Sequence, residues 1–269
     1  VAVPRDPAPA REAAQQLSRL ADFVGDTIEV GEAQAAAARA TPTGRFGDRS
    51  PDIQAAIVLL VAALCLNGAR FSQRLIPSEW SRLAELNTWA GTQILFYAVI
   101  PLLVWRYALR LPVVDIGLRL RGTSEHWKVY AGLFAVAVPF VLVASTTAEF
   151  QINYPLLETF RGGDPWPGLW LWWAFYAVQF LAIEIFFRGF MIHGLVPRFG
   201  ALSILIMVIP YTMIHFVKPP AEALAAIVGG IVMGTLSLRT RSIWWGVGLH
   251  CGVAAVMDVA SLWHKDLLP

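Results

Sequence analysis

Polar and apolar positions divide the chain into two unlike blocks. Residues 1–50 are rich in Ala, Arg, Glu and Asp and hold no continuous apolar run, whereas from Asp52 onward long apolar stretches dominate. In the first block Leu17, Leu20, Val24 and Ile28 recur at helical spacing and predict a short helix on a membrane surface. Residues 31–50 are polar enough for disorder, and "TPTGRFGDRSPD" reads as a linker into the second block. No signal peptide is predicted, because an apolar h-region is missing. The apolar stretches predict membrane-spanning helices at 52–68, 88–107, 127–148, 168–197, 201–217, 221–238 and 243–262. A span needs roughly 20 apolar residues, with about 17 as a lower limit, so the first and fifth are short and the fourth is long enough to tilt. "LRLPVVDIG", "PRFG", "VKPP" and "RTRS" mark turns, since Pro and Gly end helices for steric and hydrogen-bonding reasons.

The expected fold is therefore an all-α polytopic bundle of about seven transmembrane helices at 51–269. A soluble or surface-associated extension, 1–50, precedes it. Composition agrees: 57% of residues are hydrophobic, 15% are charged and the mean hydropathy is +0.56. A soluble domain carries about 25% charged and 45–50% apolar residues. A net charge of +2 is too small to imply nucleic acid as a partner. Cys65 and Cys251 both fall in apolar segments and read as packing residues without metal-type spacing.

Basic residues set the expected orientation. Arg39, Arg45, Arg49, Arg106, Arg110, Arg119, Arg121, Lys128, Arg198, Arg239 and Arg241 collect on one side of the predicted spans. This places the N-terminus in the cytoplasm, in an inner (plasma) membrane, and the C-terminus outside. Trp166, Trp170, Trp172 and Trp173 would form an aromatic collar at the outer end of the fourth span.

Against this apolar background the ionisable residues stand out. A charge at a helix centre costs roughly 2.5–3.5 kcal/mol on insertion scales, so such residues persist when paired, wet or useful. Glu184, Arg188, His215, Lys218, Glu222, His250 and Asp258 all lie in the last four spans or their turns. If the fourth and fifth helices turn near Phe199, Glu184 and His215 each lie about 15 residues from the turn, ~22 Å deep at 1.5 Å per residue. Counted from Ser242, His250 and Asp258 fall ~12 and ~24 Å along the last helix and bracket that layer. These four side chains are expected to converge between helices. Arg188, one turn from Glu184, is expected to pair with it and position it. His193 is out of phase, and His126 and His264 sit at span ends. Gly230 and Gly234 form a small-xxx-small pattern that lets helices approach closely. Lys218 and Glu222 can pair at a helix start.

Two imidazoles and a carboxylate suit a catalytic divalent metal, zinc first, held by His215 and His250 with water in an open position. Without a metal, the carboxylate can activate water while a histidine stabilises the oxyanion. Both versions hydrolyse an amide in or near the membrane.

"IEIFFR" (183–188), "YTMIH" (211–215) and "HCGVA" (250–254) resemble the CPBP intramembrane proteases. That group contains type II CAAX prenyl endopeptidases and bacterial bacteriocin-processing or immunity-type homologues. Its pattern is EExxxR, FxxxH and HxxxN or HxxxD on successive helices. The resemblance spans about residues 90–262 and includes the Gly of "FFRGF". It implies an intramembrane endopeptidase acting on a membrane-embedded or membrane-anchored peptide, with the lipid bilayer as its surroundings. Three positions depart from the pattern. Ile183 stands where the family has its first, water-activating Glu. Tyr211 replaces the aromatic Phe. Ala254 replaces Asn or Asp, with Asp258 one turn further on. The expected site is one rebuilt from Glu184, Arg188, His215, His250 and Asp258. The alternatives are an inactive relative that binds a membrane segment or lipid, and a proton-coupled transporter. The transporter fits less well, because the polar residues occupy one half of the chain and no internal repeat is visible.

Overall fold

The computed structural model describes residues 8–40, 50–77, 79–120, 126–156 and 166–267, the side chains of 8–14 and 166–167 excepted. Of the proposed linker, 41–52, residues 41–49 lie outside the described residues and 50–52 cap and open a helix; the side chain of Trp166 also lies outside the described residues. Every regular element in them is helical: α1 (Ala8–Ala40), α2 (Pro51–Ser72), α3 (Arg82–Ile94), α4 (Ile100–Leu103), α5 (Trp127–Ala144), α6 (Ala148–Asn153), α7 (Trp166–Glu184), α8 (Gly194–Phe199), α9 (Leu202–Met213), α10 (Pro220–Thr240) and α11 (Trp244–His264). An isolated bridge between Leu118 and Ser242 is the strand-like pairing present.

Local chemistry explains several boundaries. Ser50 accepts from the Ile53 N–H at 3.3 Å, with Pro51 opening α2 and Asp52 in its first turn. A hydroxyl cap, a proline at the first position and an early acidic residue all favour a helix start. Ser81 caps α3 in the same way, and α10 opens on Pro220 and ends where Arg241 turns left-handed at φ 55°.

Six helical stretches are long and apolar enough to cross a membrane: Pro51–Leu75, Arg82–Ala108, Trp127–Ala144, Gly168–Phe199, Pro220–Thr240 and Trp244–His264. The bundle is all-α and polytopic, as expected. The expected fifth span, 201–217, contracts to the 12 residues of α9, ~18 Å of helix against a ~30 Å hydrocarbon core. Residues 214–218 leave the helix through successive tight turns, with the His215 N–H on Thr212 O and the Lys218 N–H on His215 O. α9 instead lies along α10. A Cβ on Gly230 would meet Tyr211 at 3.0 Å, and one on Gly234 would meet Ile204 and Met207 at 3.0 Å. The small-xxx-small pair is where these two helices touch.

The centre of the bundle is the continuation of α7. From Ile185 to His193 the chain winds as a π-helix, and all nine residues are buried. Phe186, Phe187 and Phe190 pack against Tyr97, Trp105 and Tyr211. A helix apolar on every side belongs in an interior. α5 is the opposite case: its one buried residue is Tyr130, and Val136, Phe140 and Val143 face outward. α3 packs on α7, and α5 on α11.

α1 runs unbroken to Ala40, through 31–40 where composition had left disorder open. Its Thr27, Gly31 and Ala35 face is buried at one end of the bundle. Gln34 Nε2 donates to Leu238 O at 2.9 Å, and Arg241 Nη1 donates to Gln34 Oε1 at 3.1 Å. A Cβ on Gly31 would lie 2.5 Å from the Ala201 backbone. Leu17, Leu20, Val24 and Ile28 remain exposed.

Candidate active site

α7 and its π-helical continuation deliver Ile183, Glu184 and Arg188, α9 delivers Tyr211, the turn after it His215, and α11 His250. Glu184 and Arg188 are 1% and 0% exposed, with Arg188 Nη1 3.3 Å from Glu184 Oε1. The same carboxylate oxygen lies 3.0 Å from His250 Nδ1. Both approaches are close but poorly aligned with the N–H directions, so they are ion pairs by distance rather than linear hydrogen bonds. The guanidinium carbon sits 3.9 Å from the centre of the Tyr211 ring, a cation–π contact. The Tyr211 hydroxyl is 3.2 Å from His250 Nε2. Four side chains thus close a ring: Glu184, His250, Tyr211 and Arg188. His250 is further held by stacking on Phe180, with ring planes 11° apart.

These contacts decide the tautomers. A carboxylate 3.0 Å from His250 Nδ1 favours the proton on that nitrogen, which leaves the Nε2 lone pair for the Tyr211 hydroxyl. His215 Nδ1 lies 2.8 Å from the Tyr211 carbonyl, which also only accepts, so His215 Nε2 carries a lone pair as well.

Beside the ring lies a cavity of about 830 Å³, lined among others by Ile183, Tyr211, His215, Lys218, His250 and Ala254. Glu184 and Arg188 are not among its lining residues. The structure brings Glu184, Arg188 and His250 into one contact network, but the carboxylate stands behind His250 and the histidines face the cavity. Ile183, not Glu184, presents its side chain to the space. Asp258 is elsewhere: it is 2% exposed and accepts from Trp173 Nε1 at 2.8 Å. Trp173 is thereby tied to the end of α11.

A metal at His215 and His250 was one expectation. The donor set does not fit one. His215 Nδ1 is taken by a carbonyl and His250 Nδ1 faces Glu184, so the two Nε2 atoms are the donors left, and His250 Nε2 already meets the Tyr211 hydroxyl. Among the described residues no three or more His, Cys, Asp or Glu side chains are grouped to hold a metal ion. A zinc site needs three protein ligands besides an open position.

Sequence reasoning missed Tyr154. Its hydroxyl accepts from Lys218 Nζ at 3.0 Å and donates to Glu222 Oε2 at 2.8 Å. The expected Lys218–Glu222 pair is looser, at 4.0 Å. Burial pulls the Lys218 ammonium below its ordinary range, with Glu222 and Asp258 partly offsetting this. Burial and then Glu222 push the Tyr154 phenol up. No spacing signal links residue 154 to 218, because the pairing is purely tertiary.

Gly246 is the other unforeseen residue. A Cβ there would lie 2.5 Å from Glu184 Oε2 and 3.0 Å from the Met233 methyl. The carboxylate fits because α11 has no side chain at this point. Gly246→Ala is expected to cost about 1–3 kcal/mol through overpacking and to push Glu184 off His250. The check is thermal melting in detergent beside Gly248→Ala, where a Cβ meets nothing within 4 Å and no loss is expected.

The fold and its buried polar ring define a polytopic helical membrane protein with an ionisable site in its core. Residues 165–256, from α7 through most of α11, match the family model described as "Type II CAAX prenyl endopeptidase Rce1-like". The match covers every residue of the ring and stops short of Asp258. It bears out the resemblance to the intramembrane protease family over that segment. Comparison with curated proteins and with solved structures found no match.

Proposed function

We propose that the protein is an intramembrane endopeptidase in which His250, backed by Glu184, activates the attacking water. The observation that carries this reading is the 3.0 Å contact of Glu184 Oε1 with His250 Nδ1, behind an imidazole that opens on the cavity. A carboxylate behind a histidine fixes the tautomer and stabilises the imidazolium that forms when Nε2 takes a proton. In this reading His215 Nε2 accepts from the same water and orients it. Water loses a proton to His250 Nε2 as its oxygen adds to the peptide carbonyl. Nε2 has one lone pair, so the Tyr211 hydroxyl first leaves it for the substrate carbonyl, where it donates to the oxyanion as that forms. The imidazolium then protonates the leaving amine and the C–N bond breaks. Arg188 supplies the counter-charge to Glu184. A membrane-anchored or lipidated peptide suits a cavity walled mainly by apolar and aromatic side chains.

The test is cleavage of a panel of membrane-anchored peptides by the protein in liposomes, read by mass spectrometry. Cleavage by wild type that is lost in Glu184→Gln and His250→Ala supports the assignment, and unchanged cleavage in either variant overturns it.

One observation favours a second reading, a non-catalytic scaffold for a membrane segment: Ile183 lines the cavity where the family pattern has its first Glu. Ile183→Glu separates the two. If wild type is a scaffold, the added carboxylate creates cleavage where none existed. If His250 is already the base, Ile183→Glu changes the rate by less than about tenfold, against the roughly 10²–10⁴-fold of a working general base.

A further inference from the structure

The wall of the cavity formed by α7 carries Tyr176, Gln179, Phe180 and Ile183. Gln179 is 2% exposed, and its Oε1 is shut off from solvent with no hydrogen-bond partner. A buried amide oxygen without a donor is unfavourable, and a leucine of similar size would avoid the cost. Gln93 of α3, also buried, lines the same cavity, and α3 and α7 are packed neighbours. Amides between helices can serve as interhelical glue, but glue requires a bond, and Gln179 Oε1 has none. Phe180, the next residue, is the ring on which His250 stacks. Gln179 therefore borders the place where the reacting bond would sit.

We infer that Gln179 reads the backbone of a bound peptide, with Gln93 as a second amide on the same cavity; this rests on the endopeptidase reading. A carboxamide offers a donor and an acceptor side by side, as a peptide group does. Rotation about its last torsion is soft and roughly two-fold, so either end turns toward the cavity. An acyl chain in this position leaves the amide as unsatisfied as before. An extended peptide satisfies it whatever the peptide's side chains. Retaining the glutamine trades stability of the free protein for binding.

The experiment uses the full-length protein in detergent. The probes are N-palmitoyl-tetra-alanine amide and analogues in which each backbone amide in turn is replaced by an ester, which removes one N–H. Binding is followed by tryptophan fluorescence and stability by thermal melting, for wild type, Gln179→Leu and Gln179→Met. The expected result is one ester position that weakens wild-type binding at least fivefold and both variants less than twofold. Both variants are expected to melt at or above wild type, which a structural glutamine would not allow. The inference is overturned if the ester penalty persists in the variants, if no position shows one in wild type, or if the amide probe does not bind. If the ester pattern appears but no peptide is cleaved, the protease reading fails and this one stands. If cleavage occurs and the ester scan is flat, this one alone fails.

Discussion

His250→Ala is expected to reduce cleavage by roughly 10²–10⁴-fold, the range of a lost general base, while leaving the bundle folded. The ring is partly exposed, at 20% of its side chain, and its loss opens space toward a cavity rather than in a packed core. Glu184→Gln should fall in the same range in kcat, because the amide preserves the shape yet removes the charge that favours protonated His250. Single-turnover cleavage together with melting temperature checks both variants. If His250→Ala unfolds the protein while Arg188→Ala melts like wild type, the histidine is structural and the assignment is reversed.

Arg188→Ala is the larger blow to stability, by about 3–5 kcal/mol, the usual effect of breaking one side of a buried ion pair. The guanidinium has no exposure, faces Glu184 at 3.3 Å and covers the Tyr211 ring. Its removal leaves a carboxylate in the core with only the partly exposed His250 imidazole beside it. Arg188→Lys is not an adequate replacement, since an ammonium lacks the planar face that lies on Tyr211. The measurement is thermal or denaturant unfolding in detergent. Glu184→Gln combined with Arg188→Met should recover part of the loss, because the double variant buries no charge. A double variant no more stable than Arg188→Ala would show that the ion pair is not the source of the effect.

Apolar stretches at 52–68, 88–107, 127–148, 168–197, 221–238 and 243–262 each mark a helix long enough to span. That much was legible because hydrocarbon imposes length and composition directly. The shortening of α9 was not, since residues 214–217 are as apolar as the helix they leave, and the turn that carries His215 is closed by backbone bonds. Helical phase showed that Ile183 and Glu184 point in different directions and that Arg188 shares the face of Glu184. It could not show which direction meets the cavity, because periodicity sets relative angles and packing sets the rotation of the whole helix. The same limit applies to Asp258, whose bond to Trp173 depends on how α7 and α11 lie together. Gly246 carried no signal at all: its role is the room it leaves for a side chain 62 positions away in sequence.

The nine-residue π-helix from Ile185 to His193 has a consequence for gene length rather than for residue identity. Its hydrogen bonds skip one residue more than those of an α-helix. An in-frame loss of a single codon can therefore be absorbed by rewinding the tract, with the backbone still bonded. Because the π tract holds about one residue more than an α-helical stretch of the same number of turns, the rewound segment keeps what lies beyond it near its present rotation relative to α7. A deletion between Ile185 and Phe187 would draw Arg188 one residue nearer to Glu184. One between Gly189 and His193 would spare that pair and keep α8 turned toward Gln54, which donates to Gly194 O at 2.9 Å. Codon loss at this point would pass unnoticed by hydropathy and hydrogen-bond counting, and would disturb the site only where it falls between Glu184 and Arg188.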